Sequence, residues 1–482
     1  MAYDLGASSG RAMAAAFDGE RLVLEEMHRF ENNAVDLRGR LHWDAPLLHA
    51  HMVEGLRKMA AKGAVDAIGV DTWGVDYALL DRQGRLLGNP VSYRDNRTND
   101  AMERAFETMP KGDIARRTGL AFLQFNTLYQ LLSAMWEGDA QLDAAQTLML
   151  MPDYLLYLLG GDIAAEYTHA STTQMTDPRS RGWSKEILEG FGIDSALLPA
   201  IQEPGARRGT LSQALAKEAS LGAVPLVASA SHDTAAAVAA VPAKGKNFAY
   251  ISSGTWSLVG IESAKPVINA AQERANLTNE GGVFGTARVL KNVMGLWIIQ
   301  ECRRTWRAQG HSYSFAEICD LAETAEPFFA FIDPDKQQFL YPGDMPQKVC
   351  AYCRETGQRV PQTHAQIARV VYESLAMCYR AAIDAIREAS GQAVDCLHIV
   401  GGGANNRLLN RMTADALGLP VYAGPDEATA LGNALVQLYA LGDVASQEEM
   451  RRIVAQSFPV ETVEPKDTAA WEDAYGSMAW RN

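Results

Sequence analysis

Short apolar blocks broken by glycine and small polar residues open the chain. AYDLG (2–6) reads as a strand, ASSG (7–10) as a turn and RAMAAAFDG (11–19) as the returning strand. Helical spacing first appears in APLLHAHMVEGLRKMAAKG (45–63), with Asp44 placed as N-cap and Pro46 in the first turn. DAIGVD (66–71), VDYALLD (75–81) and LLGNPVSYRD (86–95) read as extended segments, the last two joined by a turn at Arg82, Gln83 and Gly84. VPLVASASHDTAAAVAAV (224–241) reads as a buried strand, a polar corner and a small-residue helix, and PAKGKN (242–247) as a linker.

The theme then restarts. FAYIS (248–252), SGT (253–255) and WSLVGIES (256–263) read as strand, turn and strand. A long helix is expected over 364–390, with Thr363 and Gln366 at capping-box spacing and Gly391 as its stop. Strand DCLHIV (395–400), turn GGGANN (401–406), helix RLLNRMTADALG (407–418), strand PVYAG (420–424) and helix EATALGNALVQLYALG (427–442) follow. Each half mixes a strand–turn–strand opening with strand–helix alternation, which predicts α/β layering and a weak internal repeat. Only Met1, Ala2 and Tyr3 precede Asp4, so the first strand is expected to be short.

Length and charge narrow the function classes. The 482 residues exceed one ordinary domain, and a net charge of −14 argues against a nucleic-acid backbone or an anionic membrane as partner. No apolar run approaches the ~18 residues of a membrane span, and no basic stretch followed by an apolar run marks a signal peptide. A cytoplasmic chain is expected. The six cysteines, among them the C-x-x-C pair Cys350 and Cys353, fit reduced structural thiols.

Five groups of residues carry candidate chemistry. In DLGASSGR, Gly6 and Gly10 can take positive φ and turn successive amides toward an anion, Ser8 and Ser9 add hydroxyl donors, and Asp4 could hold Mg²⁺ directly or through water. A small-residue hairpin turn is the plainer reading. SSGTWS (252–257) repeats that composition in the second half, which favours a polyphosphate held by both turns. GGGANN lacks the dinucleotide fingerprint; it suits close approach of a bulky ligand such as adenosine, or a turn with Asn405 as N-cap. In SHDT, Asp233 is either an N-cap or a carboxylate held ionised by the helix start, a weak base of the kind phosphoryl transfer tolerates; His232 could bind a polar substrate. Asp71, Trp73, Gly74, Asp76, Arg94, Asp95 and Arg97 mix acid, base and indole groups in a way that suits a polyol, or form exposed salt bridges.

Taken in order, DLGASSGR, IGVDTWGVD, YRDNRT, FNTLYQL, MPDYLLYLLG, EYTHASTTQ, ASHDTAAAV, YISSGTWSLVG, NEGGVFG, LKNVMGLWIIQECRR, HIVGGG and EATALGNAL resemble the FGGY carbohydrate kinases, most closely their rhamnulokinase branch. The resemblance implies an α/β fold of two ribonuclease H-like (actin-like ATPase) domains facing a central cleft, with a sugar and phosphate-loop domain over 1–241, a nucleotide domain over 242–443 and a tail over 444–482 packing back on them. It implies ATP-dependent phosphorylation of L-rhamnulose at its 1-hydroxyl, with Mg²⁺. Ala7, Ser8, Ser9, Gly10 and Arg11 would line the ATP phosphates, with Thr255 approaching them; Gln300 and Gly402 would contact the nucleotide. Gly74, His232, Asp233, Thr234 and Asn292 would face the sugar, with Asp233 as proton acceptor. No nucleic-acid or membrane partner is expected, and a monomer or weak homo-oligomer is. Another ketose such as L-fuculose is the alternative substrate, and an actin- or chaperone-like ATPase the more distant alternative.

Overall fold

The computed structural model describes residues 1–476 and Met478. Its contacts form two compact units. The first combines Met1–Pro242, Glu262–Val289 and Ala428–Ser457; the second combines Ala243–Ile261, Leu290–Glu427 and Phe458–Asn482.

In the first unit, strands β1 (Ala2–Leu5), β2 (Ser9–Phe17), β3 (Leu22–Glu31), β4 (Ile68–Thr72), β5 (Arg207–Thr210) and β6 (Pro225–Val227) form a sheet in the order β5-β6-β4-β1-β2-β3. β1 runs antiparallel to β2 and parallel to β4, with Leu5 opposite Gly10 and Asp4 opposite Asp71. Both β1 and β4 are buried along their whole length, the mark of central strands covered on two faces. β1 is short, as expected, yet all four residues pair on both sides, and the Met1 nitrogen donates to Ala67 O at 2.8 Å.

Helix α1 (Ala45–Ala60) starts where its cap predicts, with Asp44 Oδ1 accepting from Leu47 N at 3.0 Å. Its Leu48, Met52 and Leu56, four apart and so on one face, join Tyr3, Leu5 and Trp43 in the core. The 86–95 segment does not form a strand: it makes only the isolated bridges Leu80↔Leu86 and His42↔Val91, while Tyr77–Leu80 pairs with Thr147–Leu150 instead. Pro90 supplies no N–H, and the amide of Tyr93 donates to the Asp76 side chain, so the segment's donors are lost to a ladder. Helix α2 (Asp233–Ala239) follows β6.

The second unit repeats the plan. Strands β7 (Phe248–Ser253), β8 (Trp256–Ser263), β9 (Ala287–Met294), β10 (Cys396–Val400), β11 (Val421–Ala423) and β12 (Glu461–Val463) follow the order β9-β8-β7-β10-β11-β12 within a seven-stranded sheet. β7 is antiparallel to β8 and parallel to β10, β11 is parallel to β10, and β12 is antiparallel to β11. Strand for strand, these directions match β1 with β2, β4, β6 and β5. Helix α3 (His364–Ser390) carries the predicted capping box and ends at Gly391 with φ 68°. Helix α4 (Arg407–Leu417) is capped by Asn406 rather than Asn405: a short 3-10 turn over Gly402–Asn405 displaces the cap by one residue.

Helix α5 (Ala428–Leu441) returns the chain to the first unit, as does the helix Gln447–Ser457, whose Arg451 pairs with Glu262. After it, β12 and the helix Thr468–Gly476 belong to the second unit. All six cysteines are free, and no described helix is long and apolar enough to cross a membrane.

Candidate active site

The β1–β2 hairpin turns at Gly6, Ala7 and Ser8. Gly6 N donates to Ser9 O at 2.9 Å; Asn32 braces the turn, its backbone N donating to Ser8 O and its Nδ2 to Gly6 O. The amides of Ala7 and Ser8 make no hydrogen bond among the described residues and remain available to an anion. Neither Gly6 nor Gly10 adopts positive φ, contrary to the sequence reading. Gly10 is small for another reason: a Cβ there would lie 2.2 Å from the ring of Phe30. Arg11 forms an ion pair with Asp4, so the basic end of this stretch is anchored beside the acidic one.

Three carboxyl groups gather near the ends of these strands. Asp4 and Asp71 stand opposite each other on β1 and β4, and Asp233 opens α2. Asp71 is fully buried; Asn433 Nδ2, from α5, donates to its Oδ2 at 2.6 Å, while Oδ1 has no hydrogen-bond partner among the described residues. Burial, with the charge of Asp4 next, pushes its pKa well above the usual carboxylate range. Asp233 is not the N-cap; that position is His232, which makes no side-chain cap bond. The Asp233 side chain is about a third exposed (32%). Burial of the rest raises its pKa, while the neighbouring His232 pulls it down and Asp4 pushes it up. A helix start therefore does not by itself keep this group ionised.

Every described hydrogen bond of Asp233 falls on Oδ1, from Thr234 N at 2.6 Å and Thr234 Oγ1 at 3.1 Å, and His232 Nε2 lies 3.4 Å from the same oxygen. His232 is held from several sides. Its backbone N donates to Thr168 Oγ1, and its Nδ1 faces Arg288 Nη2 at 3.2 Å and Glu280 Oε2 at 3.3 Å. Gly74 lies against its ring; a Cβ on Gly74 would come within 3.2 Å of Nε2. The next residue, Val75, holds φ 69°, unfavourable for a β-branched side chain. Thr127 Oγ1 donates to its carbonyl and its N donates to Thr172 Oγ1, which fixes the strained corner. Glu166, fully buried, accepts from Ser231 N and Oγ and from Thr168 N and Oγ1, tying EYTHAST to the SHDT corner.

The structure thus brings Gly74, His232, Asp233 and Thr234 together in the first unit and adds Glu166, Glu280 and Arg288, which no local pattern had marked. The remaining polyol candidates serve the scaffold. Asp76 is fully buried and accepts from Trp43, Trp73, Gln130 and the Tyr93 amide; Asp95 pairs with Arg40 and caps the turn at Asn96–Thr98. Arg97 donates to Gln130, and Arg94 lies over the Tyr93 ring.

In the second unit Thr255 sits in the β7–β8 turn, where its carbonyl accepts from Trp297 N at 3.1 Å. Gln300 lies on the helix Trp297–Ala308 and Asn292 on β9, both half-buried. Gly401 has φ 83°, and Gly403 packs on Ser253 so tightly that a Cβ would meet its Oγ at 1.9 Å. Gly402, between them, faces open space.

Two family models cover the chain: the N-terminal domain of the FGGY family of carbohydrate kinases matches residues 1–240, and its C-terminal domain residues 249–441. The chain belongs to the FGGY family of carbohydrate kinases. Within it, the rhamnulokinase of Bacteroides thetaiotaomicron is 43% identical over 475 residues, covering 98% of this chain and 97% of that protein. The rhamnulokinase of Enterococcus faecalis is 42% identical over 465 residues, 96% of this chain and 93% of that one. Among solved structures, xylulose kinase from Lactobacillus acidophilus matches at a TM-score of 0.81 with 16% identity, over 99% of this chain and 96% of that one. Plasmodium falciparum glycerol kinase with ADP matches at 0.78, also with 16% identity, over 99% and 97%. These two share the fold: two α/β domains of the ribonuclease H-like, actin-like type.

Proposed function

We propose that this carbohydrate kinase transfers the γ-phosphoryl group of ATP to the 1-hydroxyl of L-rhamnulose, giving L-rhamnulose 1-phosphate and ADP in the cytoplasm. The observation that carries the substrate is similarity to rhamnulokinases along nearly the whole chain. Asp233 is the proton acceptor in this reading. Its Oδ1 is occupied by local donors, which leaves Oδ2 for the sugar hydroxyl. As the sugar oxygen attacks the γ-phosphorus, its O–H proton passes to Asp233 and the bond to the ADP oxygen breaks. A loose transition state asks little basicity of the acceptor and much of its placement. Gly74, His232 and Thr234 line the sugar site, and Asn292 is a further residue for sugar recognition. The Ala7 and Ser8 amides, the Ser8 and Ser9 hydroxyls and the Gly10–Arg11 stretch that follows take phosphate oxygens in this reading; the Thr255 hydroxyl is a further phosphate donor, and Gln300 and the open face at Gly402 receive the nucleoside.

The residues fit Mg²⁺. This hard cation takes oxygen donors and uses one or two carboxylates alongside water and phosphate. Asp4 and Asp71 face each other across the ladder, and the buried Oδ1 of Asp71 lacks a hydrogen-bond partner among the described residues. Asp4 would hold the ion through water with Asp71 beside it. When bound, the ion neutralises phosphate charge, and its own charge offsets the burial and repulsion that push Asp71 up.

ADP release measured with a panel of L-ketoses tests the assignment. Fast turnover confined to L-rhamnulose supports it, comparable turnover of L-fuculose moves the substrate, and sugar-independent ATP hydrolysis sinks it. Asp233→Asn is expected to keep ATP binding and to lose about 10²–10⁴-fold in turnover. Near-normal turnover would leave Asp233 with only a local role at the start of α2.

A further inference from the structure

We infer that Arg288 is a positioning residue for the phosphoryl transfer: it fixes the tautomer of His232, and His232 in turn fixes which oxygen of Asp233 faces the sugar. The inference rests on the reading of Asp233 as the proton acceptor and adds to it a chain of command reaching back from the reacting atoms.

The geometry starts at a fully buried guanidinium. Arg288 Nε donates to Gly281 O at 2.7 Å, and Nη2 lies 3.0 Å from Glu280 Oε2 and 3.2 Å from His232 Nδ1. A guanidinium is always protonated and has only donors. The imidazole nitrogen it faces must therefore present a lone pair, so Nδ1 carries no hydrogen. The proton of a neutral His232 then sits on Nε2, the nitrogen 3.4 Å from Asp233 Oδ1. As a donor there, it adds to the two hydrogen bonds that Oδ1 already accepts from Thr234. Oδ2 alone is left as the basic oxygen.

Glu280 completes the arrangement. Its carboxylate pairs with Arg288 and balances the buried positive charge; burial works to raise it, yet the Arg288 guanidinium beside it holds it below the usual carboxylate range. Among the described residues, the other titratable ring against His232 is His169, edge-on at 6.1 Å and kept neutral by burial. The competing arrangement is Nδ1–H donating to Glu280 Oε2 across 3.3 Å, which would turn an unprotonated Nε2 toward Asp233. That arrangement would also set Nδ1–H against the Arg288 donor at 3.2 Å, whereas in the favoured tautomer Nδ1 and Glu280 Oε2 both face that donor.

Nitrogen NMR of the whole protein labelled with ¹⁵N-histidine separates the two. The chain has nine histidines, and loss of one signal pair in His232→Gln assigns the ring. At neutral pH the expected spectrum of wild type shows a protonated Nε2 and a lone-pair Nδ1; a protonated Nδ1, in either the other tautomer or the imidazolium, overturns the proposal whatever the activity. In Arg288→Met the Nδ1-H form is expected to appear, with kcat down about 10²-fold and KM for L-rhamnulose within a few-fold. Arg288→Lys, which keeps a donor, is expected to recover most of that loss. A wild-type tautomer in Arg288→Met, or equal kcat in the two variants, overturns the positioning role. Normal turnover in Asp233→Asn would instead remove the reading beneath it, without touching the tautomer result.

Discussion

Two glycines beside the carboxylates are small for packing and not for backbone freedom. A Cβ on Gly10 would strike Phe30, and one on Gly69 would come 2.5 Å from Asn433 Oδ1 and 2.8 Å from Gln437 Nε2. Gln437 Nε2 donates to Asn433 Oδ1, and Asn433 donates to Asp71, so the clearance above Gly69 is the room that lets an amide pair hold Asp71. His169 makes a different kind of demand. Burial, with His232 beside it, pushes its pKa well below the usual imidazole value, so the folded chain keeps it neutral. The unfolded chain binds a proton at an ordinary pKa of about 6.5. Acidification below that value therefore favours unfolding, and the stability tied to a neutral His169 is present only above it. Between about pH 7.5 and about pH 5.5, wild type is expected to lose about 1 kcal/mol relative to His169→Asn. Denaturant titrations at the two pH values check this; parallel curves for the two proteins would refute it.

At the scale of elements, the pairing of α2 with α5 governs where Asp233 begins. A Cβ on Gly432 of α5 would lie 1.8 Å from Ala236 O of α2, so the two helices touch backbone to backbone at that point. Gly432→Ala gains helix propensity and still overpacks: a net loss of about 1–3 kcal/mol is expected, with reduced turnover because the α2 start is displaced. Gly222→Ala, which meets open space at ordinary φ, is the control and should change neither melting temperature nor turnover. Elements of this kind were legible where their signals are local. The caps at Asp44 and Thr363, the stop at Gly391 and both strand–turn–strand openings lie within a few residues of what they determine. Asp233 and its corner stood out for the same reason. Glu280 and Arg288 did not, because their partner His232 is about fifty residues away and nothing near them announces it. Asp76 misled: its acid-and-indole neighbourhood looked like a sugar pocket, yet those groups bond to one another. The 86–95 segment misled too, since an apolar pattern says nothing of amides already claimed by side chains.

At the scale of the molecule, the chain order and the units do not coincide. The first unit takes Met1–Pro242 and then two later pieces, Glu262–Val289 and Ala428–Ser457. Lys244 and Lys246 are exposed in the linker that follows the first piece. Brief trypsin treatment is expected to cut there and to leave both fragments associated on size-exclusion chromatography, separating only in denaturant. An N-terminal fragment that elutes alone would contradict the interleaved packing. The repeated sheet has a companion feature: each copy places its glycine–serine turn after a strand bonded on both sides, so each turn is carried by the stiffest part of its sheet.

The Tyr3 carbonyl on the first strand accepts a hydrogen bond at 3.3 Å from Asn433. During synthesis Asn433 follows Tyr3 out of the ribosome only after 430 further residues have been joined. The carboxylate that Asn433 orients therefore cannot reach its final setting until α5 has been made. A nascent chain stalled before α5 would hold the strands that bear the acidic groups but not the helix that arranges them.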